Sequence, residues 1–133
     1  TIEKWYSLTE IKDNAYPEVA PMDVNILKKL VGNDETVIDE MLSAFRTSAA
    51  RIESELQIAC EALLCDQAKK AAHKLKSSAR SVGALRLGDV CEQIEQAGKN
   101  GEAEILGDLF ARFELEMASV NSYLVKSIKS NEQ

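Results

Sequence analysis

A single histidine, His73, is the residue of this chain best suited to reversible chemistry. Neutral imidazole is abundant near physiological pH and is a good nucleophile there. Lys69 and Lys70 stand one helical turn before it, Lys76 and Ser77 one turn after, and Arg80 two turns after. From Gln67 to Gly88 the chain carries six basic residues and no acidic one, leaving ten basic against 22 acidic residues elsewhere. Like charges at helical spacing cost a few tenths of a kcal/mol per pair, so stability gives no reason for the cluster. Attack on a phosphoryl group does give one, because positive charge stabilises its non-bridging oxygens. A lone histidine on a basic helix face is also an ordinary solvated surface, and spacing alone leaves both readings open.

Other chemistries fit less well. The chain has no P-loop, no glycine-rich kinase loop and no carboxylate cluster near His73 in sequence to hold Mg²⁺. It could therefore hold a phosphoryl group but has no visible means of drawing one from ATP. A formal net charge of −6 argues against nucleic-acid binding by broad phosphate neutralisation. Cys60, Cys65 and Cys91 are odd in number and form no C-x-x-C pair, which suits reduced thiols in a cytoplasm and offers no zinc site. A bridge between Cys60 and Cys65 is disfavoured on the same grounds. No apolar run is long enough for membrane insertion, and no signal-peptide pattern opens the chain.

The elements that must position His73 are helical. Pro17 and Pro21 break any long helix in residues 1–21, which read as an extension packing on or leading into the main body. Asp23 caps a short helix that ends at Val31 with Gly32. Asp34 or Glu35 opens a long helix whose inward stripe is Ile38, Met41, Leu42, Phe45, Ala49, Ile52, Leu56, Ala59 and Leu63. The next helix starts near Asp66, with that side chain as its cap, and stops at Gly83. Its stripe is Leu64, Ala68, Ala71, Leu75, Ser78 and Val82. At about 100° per residue His73 falls on the opposite, solvent side of this helix. Leu85 to Ala97 follows, with Leu87, Val90, Cys91 and Ile94 inward and Gly98 closing it. A last helix from Glu102 to about Ile128 buries Ile105, Leu106, Leu109, Phe113, Met117, Val120 and Leu124, leaving a frayed tail at 130–133. No stretch alternates as a strand would. The expected fold is all-α, an antiparallel up-down-up-down four-helix bundle over 22–129 with a short extra N-terminal helix.

The segment His73-Lys74-Leu75-Lys76-Ser77-Ser78-Ala79-Arg80-Ser81-Val82-Gly83-Ala84 resembles the signature of histidine-containing phosphotransfer (HPt) domains, H-x-L-K-G-[SA]-[SA]-x-x-[LV]-G-[AL]. The likeness continues through Leu87, Cys91, Ile94 and Glu95, and more loosely over Met22-Asp23, Leu27, Leu30, Gly32 and Met41-Leu42-x-x-Phe45. The pattern spans roughly residues 22 to 125.

The resemblance implies that His73 accepts a phosphoryl group from the aspartyl phosphate of one response-regulator receiver domain and passes it to another, in a relay fed by a hybrid sensor histidine kinase. The receiver would supply Mg²⁺, and this domain would bind no cofactor of its own. Lys76 aligns with the lysine that steadies the phosphoryl oxygens. Glu95 aligns with a Glu or Gln position that can hydrogen-bond the imidazole from the neighbouring helix; a solvated side chain is the plain alternative. Lys69 and Arg80 read as docking residues, or as solvated ones. Ser77 departs from the family's usual glycine: its hydroxyl could donate to a phosphoryl oxygen, with altered clearance for the partner. That departure keeps a second expectation in view, a helical module that binds a receiver or kinase without carrying phosphate.

Overall fold

The structure, a computed structural model, describes residues 21–132. The extension expected over 1–21 therefore lies, Pro21 apart, outside the described residues. Among the described residues five α-helices follow one another: α1 (Val24–Val31), α2 (Glu35–Glu61), α3 (Cys65–Ser81), α4 (Leu85–Lys99) and α5 (Leu106–Glu132), with one 3₁₀ turn, Ala103–Ile105, before α5. Asp23 accepts from Asn25 N–H at 3.1 Å to cap α1, and Asp34 accepts from Thr36 N–H at 2.9 Å to cap α2. Helices α2 to α5 form the antiparallel bundle: each packs on its neighbours in sequence, and α2 against α5 closes the ring. The short α1 lies against α2 and α3 at one end. There is no strand among the described residues.

The core is a continuous apolar layer from all five helices, with Leu27, Leu42, Leu56, Leu75, Leu87, Ile94, Phe113 and Leu124 shut off from solvent. Phe110, which the sequence pattern had left out, joins Phe113 with ring centroids 5.6 Å apart. No polar or charged residue is buried among the described residues, so apart from the thiols of Cys60 and Cys91 the groups capable of chemistry reach the surface.

Several expectations need correction. Met41 is 42% exposed, because Ile38, Leu42 and Phe45 already fill that side of α2. Leu63 and Leu64 lie beyond α2 in an exposed turn, Leu63 at φ 58°. Ile105 sits in the 3₁₀ turn and is likewise exposed. Asp66 does not cap α3: the capping position is Leu64, with no side-chain bond, while Leu64 N–H donates back to Ala59 C=O at 2.8 Å. Gly98 does not end α4, which runs on to Lys99 and closes at Asn100. The helical backbone of α5 continues to Glu132, so the tail expected at 130–133 extends the helix as far as that residue. All three cysteines are free thiols.

What places the site is the closeness of α3 to α4. The facing side of α3 is built from Ala68, Ala72 and Ala79, and α4 answers with Gly88 and Gly98. A methyl group on Gly98 would stand 2.5 Å from Cys65 C=O and 2.9 Å from Lys69 Cβ, and one on Gly88 would stand 2.8 Å from Arg80 Cγ. Small residues let two helix backbones approach, and here they bracket Glu95.

Candidate phosphotransfer site

His73 lies at the middle of α3, opposite the buried Ala68, Ala71 and Leu75, and its side chain is 63% exposed. The outward direction expected from helical period is therefore what the fold provides. Its Nδ1 is 2.9 Å from Glu95 Oε2 on α4. The other oxygen of that carboxylate, Oε1, is 2.7 Å from Lys76 Nζ, one turn along α3 from His73. Glu95 and Lys76 are largely covered, at 18% and 20% side-chain exposure, so the pair works in a partly desolvated setting. The Lys76 ammonium above all, with His73 adding to it, holds the Glu95 carboxyl below its ordinary value of 4.5 against the opposing effect of burial.

An ionised carboxylate only accepts hydrogen bonds, so Nδ1 carries the ring proton and donates it to Glu95. The neutral ring then has its lone pair on Nε2, the nitrogen turned away from that contact. The site presents one fixed nucleophilic atom.

The cations expected to surround His73 without compensation are paired. Lys69 and Lys70 reach Asp66 at 3.4 and 3.1 Å, and Lys74 reaches Glu55 of α2 at 2.8 Å. Arg80 lies 2.8 Å from Glu92 and 3.5 Å from Asp89, both on α4, with its stem over Gly88. Expected as a docking group, Arg80 is engaged in fastening α3 to α4. The segment 67–88 looked uniformly basic because its carboxylates come from outside it.

Ser77 is exposed one turn beyond His73, and its carbonyl accepts from Ser81 Oγ at 3.0 Å. Gly83, at φ 88°, turns the chain between α3 and α4 and accepts from Asp23 N–H at 2.9 Å. Cys91 is a core residue; burial pushes its thiol up to about 12. Lys99 was missed in the sequence. It joins Lys69, Lys70, Lys74, Glu95 and His73 around a shallow depression. The signal was its place four residues after Glu95, visible only once Glu95 is set against His73.

Residues 40–123 match the family model of the Hpt domain. The chain belongs to that family. Among solved structures, this Hpt domain is similar to histidine-containing phosphotransfer protein B of Pseudomonas aeruginosa, at 21% identity and a TM-score of 0.78, covering 84% of this chain and 97% of that one. It is similar also to a histidine-containing phosphotransfer protein of maize, at 22% identity and a TM-score of 0.72, covering 90% and 95% of the two chains. No curated protein matches it. The Hpt domain is thus a component of phosphorelay signal transduction, with partners drawn from two-component phosphorelays. No helix among its described residues is long and apolar enough to cross a membrane.

Proposed function

We propose that His73 Nε2 is the phosphoryl acceptor of this Hpt domain, taking the group from the aspartyl phosphate of one receiver domain and giving it to another. The observation that carries this is the Glu95 contact, which fixes the exposed imidazole in the tautomer whose lone pair faces solvent. In the transfer the Nε2 lone pair forms the N–P bond. The acyl P–O bond breaks, and its electron pair leaves on the receiver's aspartate. The ring keeps its Nδ1 proton and so becomes positively charged, and the Glu95 carboxylate lies in hydrogen-bond contact to balance that charge. Lys76 is one turn away to pair with the phosphoryl oxygens, exchanging them for Glu95 Oε1.

The receiver holds the divalent cation and this domain binds none of its own. The domain serves receivers and a hybrid sensor kinase in the cytoplasm, which the three free thiols support. It has no ATP-dependent activity. Incubation with a panel of phosphorylated receiver domains should give acid-labile, base-stable label on the native chain and none on His73→Gln. Label that persists in His73→Gln would falsify the assignment.

A further inference from the structure

The surface along α3 is electrically lopsided about His73. Toward the start of α3 lie Lys69 and Lys70, answered by Asp66, together with Lys99 from the last turn of α4. Three ammonium groups meet one carboxylate there. At the centre Lys74 pairs with Glu55 and Lys76 with Glu95. Toward the end of α3 the single guanidinium of Arg80 faces two carboxylates, Asp89 and Glu92. The local balance thus runs from a surplus of two positive charges, through zero, to one negative, on a chain whose net charge is −6.

Lys99 is the part of this gradient that the fold itself does not use. It is exposed, and no ion pair with a described carboxylate engages it, unlike Lys69, Lys70, Lys74, Lys76 and Arg80. Its backbone is held close to α3 because the adjacent Gly98 packs on Cys65 C=O and Lys69. A lysine in the last turn of a helix also gains slightly from the helix dipole, but any outward direction would serve that purpose. Here it shares the depression that contains the imidazole.

We infer that Lys99 is a partner-orienting residue: it meets the acidic rim of the docked receiver and, against the Asp89 and Glu92 end, sets which way round the receiver sits over His73. This rests on the phosphorelay function proposed above. The partner chemistry follows from it. A protein surface that presents an aspartyl phosphate, together with carboxylates holding a divalent cation, is rich in negative charge around the reacting atom. A docking face with charge of one sign at one end and the other at the opposite end accepts such a rim in one orientation and resists the reversed one. Exposed charges act mainly on encounter, so the effect belongs to association and fades as salt screens it.

The test compares native chain, Lys99→Glu and Lys99→Arg, each over the full 133 residues. Each is labelled in parallel by phosphoramidate, a small donor without a docking surface, and by the phosphorylated receiver that labels the native chain fastest in the panel. At about 50 mM salt the ratio of receiver-driven to phosphoramidate-driven rates should fall on the order of tenfold in Lys99→Glu and stay near native in Lys99→Arg. At about 0.5 M salt the difference should shrink to within about twofold. An unchanged ratio at low salt, or a deficit that salt leaves intact, overturns the inference while leaving His73 as the acceptor. Failure of both donors to label His73 in the native chain overturns the function itself, and the inference with it.

Discussion

His73 Nδ1 on α3 and Glu95 Oε2 on α4 lie 2.9 Å apart, and that contact determines which ring nitrogen can react. Because Glu95 also holds Lys76, a single carboxylate positions the imidazole and, on the function proposed above, keeps beside it the cation that would meet the phosphoryl group.

Removing the carboxylate should therefore slow the chemistry more than it harms the fold. Glu95→Ala frees the ring to take either tautomer and leaves Lys76 unpaired. Labelling by phosphoramidate is expected to drop on the order of tenfold, about 1.4 kcal/mol of barrier. Glu95→Gln keeps an acceptor for Nδ1–H and should fall between the two. Nitrogen NMR of the ring reads the tautomer directly, and a native Nδ1–H signal in Glu95→Ala would contradict this account.

The pH dependence of the contact has a definite sign. Glu95 titrates below its ordinary 4.5 in the folded chain, so its bridge adds stability that is complete above that value. The contribution is lost as pH falls through the lowered value. Melting temperatures between pH 6 and about pH 3 should fall more steeply for the native chain than for Glu95→Gln, whose amide does not titrate. Parallel curves would show that the bridge contributes nothing.

Two glycines of similar type separate crowding from conformational freedom. Gly98→Ala places a methyl group 2.5 Å from Cys65 C=O and must push α4 from α3, at a cost of about 1–3 kcal/mol. Because the shift lies one turn from Glu95, labelling of His73 should slow as well. Gly107→Ala, in the first turn of α5 with nothing within 4 Å, should instead stabilise by up to about 1 kcal/mol. Denaturant midpoints and phosphoramidate labelling measure the pair.

The thiols should divide by depth. Burial raises Cys60 to about 11 and Cys91 to about 12, whereas Cys65 is only half-buried at the head of α3. Iodoacetamide at pH 8 is expected to modify Cys65 in the native chain, with Cys60 and Cys91 following only on unfolding. Mass spectrometry of the modified peptides reports which thiol reacted.

Ser77→Gly tests the departure from the family pattern. The exchange removes a hydroxyl and some bulk one turn from His73 and costs about 0.5 kcal/mol of helix stability. If clearance limits docking, transfer from a receiver should quicken while labelling by phosphoramidate stays near native. Slower transfer in both assays would show instead that the hydroxyl assists the phosphoryl group.

The sequence by itself determined the helices, the outward direction of His73 and the family pattern. Each depends on periodicity or spacing within one stretch of chain, and a 3.6-residue repeat states which side of a helix is apolar without reference to any other helix. Expectations failed where that logic stops. Met41 and Ile105 fit a stripe locally but were displaced by neighbours that already filled the core. Asp66 looked like a cap because caps are judged by residue type, while the turn at Leu63 and Leu64 set the start of α3. Only the tertiary structure decided that Glu95 reaches His73, that Glu55, Asp89 and Glu92 neutralise the basic stretch, and that Lys99 shares the depression. These contacts join separate helices through long side chains, and those between α3 and α4 depend on how closely Gly88 and Gly98 let the two helices approach.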